Sequence, residues 1–167
     1  MTYKIYIPID STSLSLGAND VYEEIKREAL KRQVDITIIR NGSRGLFWLE
    51  PLVEVETTNG RVAFGPVTKD DVRTLFDQEF YLGNDGDLHL GLTEELHWLK
   101  NQERLTFARV GITDPVSIID YEKYDGFKGL RKALKLDPKL IVKTMTDSGL
   151  RGRGGVLFQM LRSFSHL

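Results

Sequence analysis

Leu52-Val53-Glu54-Val55-Glu56-Thr57-Thr58-Asn59-Gly60-Arg61-Val62-Ala63-Phe64 alternates apolar and polar residues on both sides of an Asn-Gly pair. Asn-Gly accepts the positive φ angles of a tight two-residue hairpin turn, so the stretch predicts antiparallel strands over 52–57 and 61–64. Working upstream, Val34–Arg40 is a β-branched run closed by Asn41-Gly42, and Tyr3–Pro8 alternates like a strand and leads into turn residues at Asp10-Ser11-Thr12. Between these two runs, Val21, Ile25, Ala29 and Leu30 recur at helical spacing. Asn19 stands at the position of an N-cap, with Glu23 and Glu24 early and Lys31 and Arg32 late, as the helix dipole prefers. Downstream of the hairpin, Thr68 is placed to cap a helix through Val72, Leu75 and Phe76, with Asp70 and Asp71 in its first turn.

The order βαβ followed by ββα is the thioredoxin-like order, and it assigns residues 1–83 to an α/β domain of that kind. The Gly- and Asp-rich run Tyr81–Asp87 reads as its boundary. That run lacks the spacing and terminal glutamate of a calcium-binding loop. Residues 84–112 then form a connector, in which Thr93-Glu94-Glu95 begins a short helix with Leu96, Trp98 and Leu99. From Asp114-Pro115 onward, helix-start signals multiply. They predict a helix with Val116, Ile118 and Ile119, a second with Phe127, Leu130, Ala133 and Leu134, and a third opened by Asp137-Pro138 and carrying Leu140, Ile141, Val142 and Met145.

Composition excludes several chemistries. The chain has 167 residues and no cysteine, which removes disulfides, thiol redox chemistry and thiolate-bound iron–sulfur clusters together. Twenty-three Lys and Arg nearly balance 24 Asp and Glu, giving a formal charge of -1 and no global basic field for nucleic acid or anionic lipid. No run of about 18 apolar residues is available to cross a bilayer, and the N-terminus lacks a signal-peptide pattern. The expectation is a cytoplasmic protein. His89, His97 and His166 have no metal-site spacing, so no metal site is expected.

The densest functional signal is Ser148-Gly149-Leu150-Arg151-Gly152-Arg153-Gly154-Gly155, with four glycines and two arginines in eight residues. Successive backbone N–H groups in such a loop can surround an anion, and guanidinium forks add charge-assisted bonds to phosphate oxygens. The alternative is a basic Gly/Arg tail. RNA binding is disfavoured, because a single RGRGG patch without repetition or stacking aromatics gives little footprint.

The run Asp147–Gly155 resembles the flavin-binding loop of the NADH-oxidising subunit shared by respiratory complex I, NAD-reducing hydrogenases and NAD-dependent formate dehydrogenases. With the upstream sequence, including the connector tract Gln102–Gly111, residues 1–155 are most similar to the beta-subunit family of soluble, molybdenum-containing formate dehydrogenases. The resemblance implies that residues 113–155 begin an FMN-binding domain, with Gly152, Arg153, Gly154 and Gly155 at the phosphate end of FMN. Phe158 falls on the family aromatic near the nicotinamide of NAD. In the complete subunit, hydride passes between NAD(H) and FMN, and electrons continue through a 4Fe-4S cluster. The implied partners are a thioredoxin-like 2Fe-2S subunit and the molybdenum catalytic subunit.

The sequence departs from that family at two places. Related thioredoxin-like domains hold a two-iron cluster through cysteines in the loop after the second strand, where this chain reads Arg40-Asn41-Gly42-Ser43-Arg44-Gly45. Arg40 and Arg44 are therefore expected either to face a neighbouring subunit or to lie solvated, while Phe47 and Trp48 are interface anchors or core aromatics. Residues 156–167 leave the family pattern, with Ser163 at its lysine, and read as a divergent or truncated tail. The chain alone is accordingly expected to be catalytically inactive, with no stably bound cofactor, or to serve as a thioredoxin-like docking module.

Overall fold

The computed structural model describes residues 2–150. The described residues fall into two compact units, the first ending at residue 124 and the second beginning at residue 125. The expected flavin-loop residues Gly152, Arg153, Gly154 and Gly155, and Phe158 beyond them, lie outside the described residues.

In the first unit, β1 (Tyr3–Tyr6), α1 (Ser11–Ser15), α2 (Ala18–Arg32), β2 (Ile36–Ile39), β3 (Val53–Thr57), β4 (Gly60–Phe64), α3 (Val72–Asp77), β5 (His89–Leu92), α4 (His97–Lys100) and α5 (Ile118–Lys123) follow in order. They build one five-stranded sheet ordered β2-β1-β3-β4-β5. β1 pairs parallel with β2 and antiparallel with β3, and the Asn-Gly hairpin pairs Val53 with Phe64 and Thr57 with Gly60. This is the mixed α/β, thioredoxin-like arrangement that the element order predicts. The sheet also runs past residue 83, because β5 adds antiparallel to β4 from within the expected connector.

One face of the sheet carries the apolar core. Ile5, Ile7, Val53, Val55 and Phe64 meet Val21, Ile25 and Ala29 of α2 and Val72, Leu75 and Phe76 of α3. Phe80 sits edge-on to both Phe64 and Phe76, with centroids 5.6 and 5.2 Å apart. Arg32 fastens the two helices, bonding Glu28 on α2 at 2.9 Å and Asp77 on α3 at 2.7 Å.

Several helix starts differ from the sequence expectation, each for a local reason. Asp10 caps α1 by accepting from the Thr12 and Ser13 amides, so the expected turn is a short helix. The cap of α2 is Gly17 at φ +98°, which turns the chain from α1 directly into α2. Asn19 is instead inside the helix and accepts a bond from Arg40 at 2.9 Å. Ahead of α3, the Asp71 carboxylate accepts from the Thr68 amide, closing a turn over Thr68–Asp71 and delaying the helix to Val72. Likewise Ser117, not Asp114, caps α5 by accepting from the Asp120 amide, while Asp114 accepts from Val116.

The second unit contains α6 (Lys128–Ala133) and α7 (Pro138–Asp147). Asp137 caps α7 with its carboxylate on the Lys139 amide, and proline occupies the first turn, as the Asp-Pro signal predicts. The chain leaves α7 through Ser148 and Gly149, the latter at φ +63°. In the first unit, Phe80→Ala removes the ring joining the hairpin to α3 and leaves a cavity, with an expected loss of about 3–5 kcal/mol read as a lowered urea midpoint.

Candidate functional site

The face of the sheet opposite the core carries the unusual chemistry. Alternation along β3 turns Val53 and Val55 to the core and Glu54 and Glu56 to the other face, yet Glu54 is 0% exposed. A carboxylate so placed needs compensating charge and hydrogen bonds. Arg44 supplies both from the loop after β2, donating from Nε and Nη2 to Glu54 Oε1 at 3.1 and 2.8 Å. Its Nη1 donates to Glu94 at 2.8 Å. Arg61 on β4 and Asn41 each donate to Glu54 Oε2 at 3.2 Å.

The same donors capture a distant segment. Asn41 donates to the Gly111 carbonyl at 2.7 Å, and Arg61 donates to the Gly111 and Ile112 carbonyls, both at 3.1 Å. Gly111 lies at φ +76°, and a Cβ there would fall 2.2 Å from Arg44 Cδ. Glycine is therefore needed for both conformation and close approach. Arg61 also stacks on Tyr6, with its guanidinium carbon 3.4 Å from the ring centroid. Burial, with a hydrogen bond to Glu56, pushes the Tyr6 hydroxyl up to about 12, so it stays a neutral donor. Glu56, bonded by Lys4 at 2.7 Å and by Tyr6, is held below the usual carboxylate range.

Arg44 is thus not a solvated surface arginine, and Arg40 is only half-exposed. Arg44 is buried on Glu54, whereas Arg40 donates to the Ile7 and Pro8 carbonyls at 3.1 Å and lies over the Tyr22 ring. The loop after β2 offers no thiolate, and Arg44 turns its charge inward, so these residues do not fit an iron–sulfur cluster. The decisive partners Glu54, Arg61 and Gly111 were not singled out in the sequence. Glu54 and Arg61 flank the hairpin turn on one face with opposite charge, which is a legible signal; Gly111 left none.

A second buried carboxylate anchors the loop from its other end. Glu50 accepts from Ser43 Oγ at 2.7 Å and from the Leu52 amide at 2.8 Å, and burial pushes its carboxyl above the usual range. Beside the loop, Phe47 and Trp48 are each 55% exposed, so neither is a core residue. Trp48 meets Trp98 edge-on at 5.2 Å over a cleft of about 630 Å³ that Arg104 and Phe107 also line.

Among the described residues, no cluster of His, Cys, Asp and Glu suits a metal, and His89 is engaged with Asp85 at 3.1 Å. No described helix is long and apolar enough to cross a membrane. Gly149, the last described glycine, lies at φ +63° with no described atom within 4 Å of a notional Cβ.

No protein-family model matches the chain. Over short segments it is homologous to components of multi-subunit oxidoreductases. It is 44% identical over 59 residues to HndC of the NADP-reducing hydrogenase of Solidesulfovibrio fructosivorans, covering 35% of this chain and 12% of HndC. It is 47% identical over 38 residues to the F component of the NADH-quinone oxidoreductase of Streptomyces coelicolor, covering 23% of this chain and 8% of that protein. Among solved structures, the thioredoxin-like [2Fe-2S] ferredoxin from Aquifex aeolicus is matched at TM-score 0.45 and 16% identity, over 54% of this chain and 97% of that one.

Two measurements test the site. Glu54→Leu leaves Arg44 buried without its carboxylate and is expected to cost about 3–5 kcal/mol, whereas the double replacement Arg44→Met with Glu54→Leu recovers most of that loss. For Glu50, a raised folded-state pKa means that its stabilisation is complete below the unfolded value and is lost as pH rises through the folded one. Glu50→Gln should therefore match the wild type near pH 4 and gain progressively on it towards about pH 7 in thermal unfolding.

Proposed function

We propose that this chain is the N-terminal part of the NADH-oxidising flavoprotein of an NAD-dependent formate dehydrogenase: a thioredoxin-like domain, a connector and the beginning of the FMN-binding domain. The observation that supports the oxidoreductase class is the 44% identity to HndC over 59 residues, and formate dehydrogenase within it rests on the resemblance of residues 1–155. The identity to the NADH-quinone oxidoreductase component supports the same electron-transfer class. In the complete protein, Gly152, Arg153, Gly154 and Gly155 would hold the phosphate of FMN, with Phe158 near the nicotinamide of NAD. FMN supplies the exchange between two-electron hydride and single-electron transfer. This chain's own contribution is to position that loop, through the Asp137-capped α7 and the positive φ of Gly149, and to provide an arginine charge for the phosphate.

The thioredoxin-like domain, on this reading, no longer carries electrons and works in assembly with a thioredoxin-like 2Fe-2S subunit and a molybdenum subunit. The half-exposed Phe47, Trp48 and Trp98 favour a second reading, a docking module that acts without flavin. Co-expression of the full chain with the other formate dehydrogenase subunits separates the two. Capture abolished by Arg153→Ala with Gly154→Val supports assembly through the flavin loop; capture abolished only by Trp48→Ala supports docking. The chain by itself is expected to give no NADH-dependent dye reduction when supplied with FMN, and turnover above the free-flavin blank would refute that expectation.

A further inference from the structure

The two edges of the sheet differ. β5 joins β4 through a register irregularity at Ala63/Phe64 and carries Gly91 at φ +88°, both of which hinder addition of another strand. β2, at the opposite edge, is Ile36-Thr37-Ile38-Ile39, a short β-branched strand with no proline, glycine, lysine or bulge. Its register with β1 decides which groups remain. Tyr3 and Ile7 amides bond to the carbonyls of Asp35 and Ile39, so β1 consumes the odd-numbered peptide groups. The alternation turns the N–H and C=O groups of Ile36 and Ile38 away from the sheet.

Beside this edge lies a groove of about 490 Å³ between α2 and β2, with Ala29, Leu30, Val34, Ile36 and Ile38 as its apolar lining beside Tyr22 and with Lys26 and Asp35 as its charged residues. Leu30 is 82% exposed there. Lys26 borders the groove but turns along the helix to Glu23 at 3.4 Å. The strand is flanked by opposite charges, Asp35 before it and Arg40 after it. Antiparallel addition of an identical strand brings the Asp35 end of one copy to the Arg40 end of the other, whereas parallel addition sets like against like. Two-fold symmetry also matches the outward donors and acceptors of Ile36 with those of Ile38.

We infer that a second copy of this chain docks on β2, antiparallel, with Ile36 opposite Ile38 and Thr37 on the two-fold axis, joining two sheets into one of ten strands. In this register, Leu30 and the isoleucines of both copies close over the grooves, and the exposed Thr37 faces its own counterpart in a pair without direct backbone bonds. Such pairs have Cα atoms about 4.5 Å apart, within disulfide reach. The inference uses only β2 and α2 and stands independently of the flavin loop.

The test uses the full chain. Sedimentation at increasing concentration is expected to show a doubling of mass. Thr37→Lys and Thr37→Glu are each expected to abolish it while keeping the unfolding temperature that the wild type has at concentrations where it is monomeric, and an equimolar mixture of the two is expected to restore it. Because the chain has no cysteine, Thr37→Cys provides a trap that introduces no charge. Mild oxidation should convert it to a disulfide-linked dimer under native conditions, with at least about a ten-fold excess over Thr58→Cys, a control at the exposed hairpin turn. A wild type that stays monomeric, a dimer that Thr37→Lys leaves intact, or equal cross-linking at positions 37 and 58 would overturn the inference.

Discussion

A carboxylate with no access to water sits on the sheet face that alternation would leave polar and wet. Glu54 can remain there only if charge and donors come to it, and they come from Arg44 and Asn41 after β2 and from Arg61 across the hairpin; the carbonyls of residues 111 and 112 share those donors. Such a cluster is no guarantee of high stability, because desolvation offsets much of the Coulombic gain. What it does set is geometry. A bidentate guanidinium, a second arginine and an amide each have one useful direction, and together they fix the loop after β2 and the segment around Gly111 against the sheet.

That arrangement bears on how the loop after β2 is held in a chain without cysteine. The loop after β2 is held from inside by Arg44 and Arg40 and from its far end by Glu50, so its shape depends on ion pairs and backbone carbonyls. Phe47, Trp48, Trp98 and Phe107 are more than half exposed, the last three around one cleft.

Local signals were legible where local physics decides. The hairpin, the β-branched Ile36–Ile39 strand and the Asp137-Pro138 helix start all appear where the residues place them, although the turn itself falls on Thr58-Asn59 and Gly60, paired with Thr57, already begins β4. Misplaced helix starts arose where two candidate caps compete, as with Gly17 and Asn19, and the winner depends on a contact from elsewhere: Asn19 is occupied by Arg40. β5 escaped notice because its glycine and histidine weaken the strand pattern, and it forms only because β4 offers an open ladder.

The sequence by itself determined the order β1, α2, β2, β3, β4, α3 and the absence of thiolate chemistry, since each rests on residue type and spacing within one stretch. Tertiary structure alone decided the inward turn of Arg44, the burial of Glu54 and the need for glycine at 111. Those follow from charged and polar groups brought together across as many as 70 positions, where the cost of an unpaired buried ion selects a conformation that no local preference encodes.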